Sequence, residues 1–132
     1  MKLLSLTILG AALATGFASL PAVAQTRPLK VGLMLPATGT YAALGTAIEN
    51  GFKLYVSENG GKLGGRSIEY VMVDDESDPS KATDNMNKLV KRDNVDVVIG
   101  TVHSGVAMGM AKVAKESGTL LIVPNAGANA VT

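Results

Sequence analysis

His103, the single histidine in a chain of 132 residues, stands directly before Ser104 in the stretch VVIGTVHSGVAMGM, residues 97–110. A histidine beside a serine raises three chemistries: a base that activates a nucleophile, a metal site, or a pair that holds a ligand. Catalysis fits poorly. Neighbouring residues in extended or turn backbone point in different directions, so a base and its nucleophile are badly placed as sequence neighbours. No G-x-S-x-G elbow occurs, and nothing supplies a clear third member for a triad. A metal site needs more nitrogen ligands than one imidazole gives. The chain has no cysteine, which excludes disulfides, thiol catalysis and cysteine-based zinc sites. His103 reads first as a loop residue hydrogen-bonded to backbone, and second as a neighbour of a bound ligand.

Ser104 carries more, because a helical pattern begins at or near it. A hydroxyl at a helix start, with the free backbone N–H groups behind it, can hold an anion. A carboxylate there meets both the donors and the positive end of the helix dipole. The plainer reading is that Ser104 caps its own helix. The two roles are compatible, since one hydroxyl can cap in the empty state and turn to a ligand. The acidic run Asp74-Asp75-Glu76-Ser77-Asp78 lacks the D-x-D-x-D-G spacing of a calcium loop and reads as a solvated loop with Asp78 near a helix start. The glycines form neither phosphate-binding pattern, and the cluster at residues 60–65 lies between a helix and a strand, on the wrong side of a sheet for a site.

The elements that must position these residues alternate strand and helix. The nearly continuous apolar run at residues 29–35 predicts a strand buried on both faces. A helix follows, with Leu44, Ile48, Phe52 and Tyr55 at spacings of four and three, and Asn59-Gly60-Gly61 ends it. A glycine-rich turn at residues 62–66 leads into a strand at 67–73. A second helix starts near Pro79, with Ala82, Met86, Leu89 and Val90 inward and Asp84 paired with Lys88 outward. Residues 95–99 form the third strand. The third helix buries Val106, Met110 and Val113 and ends at Gly118, before a fourth strand at 119–123. This order implies an α/β fold, a parallel sheet flanked by helices. In such sheets ligands bind beyond the carboxyl ends of the strands. That rule selects four loops, at residues 36–41, 74–78, 100–104 and 124–128.

The start of the chain belongs to none of this. Lys2 precedes an uncharged apolar run, and PAVA closes it in the small-x-small pattern of a cleavage site, so residues 1–24 read as a signal peptide rather than a membrane anchor. Removing them leaves 11 basic and 11 acidic residues. Without a basic stripe, nucleic acid and anionic lipid are poor partners. No cysteine succeeds the signal for lipidation, so the expected product is soluble and exported. The closing PNAGANAVT has turn-like composition with no element to seal it, and the chain reads as a fragment of a longer protein.

The segments VGLMLPATGTYAALG, ENGGKLGGRSIEYVMVDDESDPSKA, VDVVIGTVHSG and GTLLIVPNAGA, in this order, resemble the start of a periplasmic solute-binding protein. The resemblance is to the type I, branched-chain amino-acid (Leu/Ile/Val-binding) class that serves ABC importers, and it covers about residues 29–132. It implies two α/β lobes that close on a ligand, with residues 25–132 forming the first part of the N-terminal lobe. It implies that Ser104 grips a ligand carboxylate through its hydroxyl and N–H, and that Asn125, Ala126 and Gly127 complete the grip. Amino-acid binders of this class usually place a threonine hydroxyl where Gly127 stands, to bridge carboxylate and ammonium. The glycine favours an acid without the amine, such as an aromatic carboxylate bordered by Tyr41 or His103. The resemblance further implies a periplasmic, non-enzymatic receptor without cofactor, a monomer when full length, delivering its ligand to an ABC permease. A sensory ectodomain or regulator of the same fold is the alternative. The continuation past Thr132 separates the two: a second lobe and then a stop for transport, a transmembrane helix and a signalling domain for sensing. A hydrolase using His103 and Ser104 is the weakest reading.

Overall fold

The computed structural model describes residues 27–131 of the chain; the expected signal peptide lies outside them. The first apolar run is β1 (Leu29–Leu35), and it is the central strand. β3 (Arg66–Asp74) runs parallel to it on one side, in a register that sets Leu35 beside Asp74. β4 (Val97–Ile99) runs parallel on the other side, and β5 (Leu120–Ile122) pairs parallel to β4. The carboxyl ends of all four strands therefore lie on one edge of the sheet.

Two-residue periodicity divides the core between the sheet faces. Val31, Leu33 and Leu35 point to one face, where Ile48 and Phe52 of α1 (Ala42–Glu58) pack against them. Met34 and Val98 point to the other, against Ala82 and Met86 of α2 (Ala82–Asn87), Leu89 of the following π-type turn (Lys88–Arg92), and Val106, Met110 and Val113 of α3 (Ser104–Ser117). Asp78 caps the short 3-10 turn Pro79–Lys81 by accepting the Ser80 N–H at 2.8 Å. Gly118 ends α3 in the left-handed conformation, as its position after the last apolar residue predicts.

Several expectations change. The turn at residues 62–66 contains a strand, β2 (Lys62–Leu63), which pairs antiparallel with β3 and makes the sheet mixed. Gly64 and Gly65 both have positive φ, the backbone of a two-residue hairpin turn that matches strand twist. On α1 the buried positions are Gly45 and Val56, while Leu44 and Tyr55 are exposed. The inward stripe is thus rotated by one residue at each end. Lys88 reaches Asn85 Oδ1 at 3.3 Å instead of pairing with Asp84. β4 and β5 are each three residues long, shorter than their apolar runs.

At the amino ends of the strands, Asp96 gathers Arg27, Arg66 at 3.3 Å and the Lys30 N–H at 2.9 Å. The Lys30 N–H is the main cause holding its carboxyl below the usual range, although partial burial opposes it. On the α1 side of the sheet, a groove of about 470 Å³ lies between Phe52 and the exposed Leu120 and Ile122. None of the loops at the carboxyl ends of the strands lines it.

Candidate functional site

Each loop beyond a strand end brings one part of the site. The loop after β1 carries Tyr41, whose N–H donates to Ser77 Oγ at 3.1 Å. Its neighbour Thr38 donates its hydroxyl to Asp74 Oδ2 at 2.7 Å, and the Ala37 N–H reaches Asp74 Oδ1 at 2.8 Å. The side-by-side register of Leu35 and Asp74 makes these contacts short. Burial would raise the Asp74 carboxyl, but the Thr38 hydroxyl and the N–H groups of Glu76, Ala37 and Thr38 together hold it below its ordinary value.

The loop after β4 carries His103 and Ser104. His103 is the N-cap of α3: its backbone is extended, and its Nδ1 accepts the Gly105 N–H at 2.9 Å. This corrects the assignment of the cap to Ser104. Ser104 already has helical backbone as the first residue of α3, and a cap must stand outside the helix to fold its side chain back. The backbone-bonded reading of His103 holds. Its ring meets Tyr41 edge to face, with centroids 5.8 Å apart and planes at 61°. Nδ1 is thus committed to a backbone donor rather than to Ser104. Among the described residues the half-buried Ser104 hydroxyl has no hydrogen-bond partner, so the start of a 14-residue helix presents it unengaged.

The loop after β5 carries Asn125, Ala126 and Gly127. The Ala126 N–H donates to Thr101 O at 3.3 Å, so it is occupied within the protein. Asn125 and Gly127 are exposed, and a Cβ on Gly127 would meet nothing within 4 Å. Hydrogen bonds tie the four loops together, and among the six residues that the sequence singles out Tyr41 and His103 meet ring to ring.

The loop after β3 holds what sequence reasoning missed. Asp75 is fully buried rather than solvated. It accepts the hydroxyl of Thr101, itself fully buried, and the Ser77 N–H at 2.8 Å. Burial pushes its carboxyl up, against the opposing effect of these two bonds. The signal available in the sequence was weak: two acids at the end of one strand, and a Gly-Thr pair at the end of another.

The periplasmic binding protein family matches residues 28–132. A Leu/Ile/Val-binding protein from Rhizobium johnstonii is 35% identical over 106 residues, 79% of this chain and 29% of its own length. A solute-binding protein of an ABC transporter from R. palustris, solved in complex with benzoate, is 63% identical with a TM-score of 0.75, over 76% of this chain and 28% of that one. Another from Rhodopseudomonas palustris BisB5, in complex with 3,4-dihydroxybenzoic acid, is 32% identical with a TM-score of 0.75, over 79% and 29%. The chain thus spans less than a third of each of these proteins. With its mostly parallel sheet, its flanking helices and a match over nearly all described residues, the chain belongs to the periplasmic binding protein family.

Proposed function

We propose that this chain is one wall of the ligand cleft in the substrate-binding component of an ABC importer, and that the ligand is a small aromatic carboxylate. The observation that carries this reading is the unengaged Ser104 hydroxyl at the start of α3, released from capping by His103. A carboxylate seated there accepts the hydroxyl and α3 N–H groups, at the positive end of the helix. The Tyr41–His103 edge contact offers an aromatic border to a ring. Gly127 offers no hydroxyl for an ammonium. The 63% identical relative with benzoate bound supports the same ligand class. A second lobe, absent from these 132 residues, closes the cleft. The receptor performs no chemistry on its ligand, works in the periplasm as a monomer, and hands the ligand to a permease.

Gly127 provides the test. Its open surroundings and ordinary φ admit a threonine without displacement. In the two-lobe protein that contains this chain, Gly127→Thr should shift preference toward leucine over benzoate by about 1–3 kcal/mol, the worth of satisfying a buried polar group. Calorimetric titration of both ligands reads the ratio. An unchanged ratio sinks the role given to Gly127, and failure of every carboxylate to bind the wild type sinks the reading itself.

A further inference from the structure

We infer that Thr101 and Asp75 are positioning residues of the cleft, locking the four loops at the carboxyl ends of the strands into one unit. Thr101 sits at the crossing. Its hydroxyl donates to Asp75, which ties the loop after β4 to the loop after β3. Its carbonyl accepts the Ala126 N–H at 3.3 Å, which ties the same residue to the loop after β5. Asp75 is fixed in turn by the Ser77 N–H at 2.8 Å, and its own N–H donates to Leu35 O at 3.3 Å at the end of the central strand. Ser77 Oγ then holds the Tyr41 N–H at 3.1 Å. One bonded path therefore runs from Tyr41 through Ser77, Asp75 and Thr101 to Ala126.

Both side chains at the centre of that path are fully buried, so neither touches a ligand. What they set is the spacing between the residues that would. Thr101 lies three positions before Ser104 and holds the segment that contains Asn125 and Gly127. Buried polar pairs of this kind keep a unique geometry because each partner left alone is costly. This role rests on the proposed carboxylate cleft for its purpose, but the coupling itself can be measured without any ligand.

The experiment is hydrogen–deuterium exchange read by mass spectrometry on the ligand-free two-lobe protein that contains this chain. Thr101→Val removes the hydroxyl at nearly constant volume. The segment 123–128 is expected to exchange at least threefold faster, while residues 104–117 of α3 stay at the wild-type rate. Thr101→Ser keeps the donor and should restore slow exchange. Unchanged exchange of 123–128 in Thr101→Val, or no rescue by serine, overturns the inference. Should α3 also lose protection in Thr101→Val, Asp75→Leu decides. It leaves neither the Thr101 hydroxyl nor the Ser77 N–H its acceptor. Faster exchange of 123–128 with α3 intact supports the path, whereas unchanged exchange, or loss of α3 protection here as well, overturns it. Benzoate titration of the same variants separates the two claims. Wild type that fails to bind sinks the cleft, while the exchange result stands.

Discussion

Gly100→Ala should cost about 3 kcal/mol of folding stability, near the upper end for forcing an extra methyl into a packed core. Gly100 directly follows β4 and lies hard against β1. A Cβ there would lie 2.0 Å from the Met34 carbonyl oxygen and 3.1 Å from Met110 Cε. Met110 can swing aside, but the carbonyl belongs to the central strand and cannot. The sheet would have to open between β1 and β4, and the Gly100 N–H would strain its 3.0 Å bond to Ile122 O. The loop that carries Thr101, His103 and Ser104 would move with it. Denaturant unfolding checks the cost, and Gly127→Ala, where a Cβ meets nothing, serves as the neutral control.

Ser104→Ala is the second large effect, and it falls on binding rather than on folding. A hydroxyl donated to a charged carboxylate contributes about 1.5–3 kcal/mol. Benzoate affinity of the proposed two-lobe protein should therefore drop roughly 10- to 150-fold. If Ser104 were the cap, the same change would weaken α3 by about 1 kcal/mol. Because His103 Nδ1 holds the Gly105 N–H, the melting temperature of Ser104→Ala should stay close to wild type. Loss of stability with unchanged affinity would return Ser104 to the capping role.

Much of the scaffold was legible because apolar spacing follows packing. Leu29–Leu35, Ala82 to Leu89 and Val106 to Val113 fall where their periodicity places them. β2 was missed because two residues carry no alternation, and only the positive φ of Gly64 and Gly65 marks the hairpin. On α1, Leu44 and Tyr55 satisfy a helical spacing as well as Gly45 and Val56 do. The close passage of Gly45 over the Pro36 carbonyl decides between the two faces, and it is a tertiary contact.

At the site, the rule for parallel sheets selects the loops, and Ser104 stands at a helix start as its sequence context predicts. The division of labour within the His103–Ser104 pair was hidden. Serine is the commoner cap, and only the extended backbone of His103 shows that the imidazole takes that place. Asp75 reads as solvated in sequence because a run of acids ordinarily is. Its burial depends on Thr101, 26 positions away and across the central strand, a partner that no local pattern announces.

The central claim is that the wall formed by Ser104, Tyr41, His103 and Gly127 selects an aromatic carboxylate without an amine. Side-by-side calorimetric titration of benzoate and leucine into the proposed two-lobe protein that contains this chain tests it most directly. Saturable benzoate binding at least roughly tenfold tighter than leucine is expected. Leucine binding as tightly as benzoate, or more tightly, would contradict it.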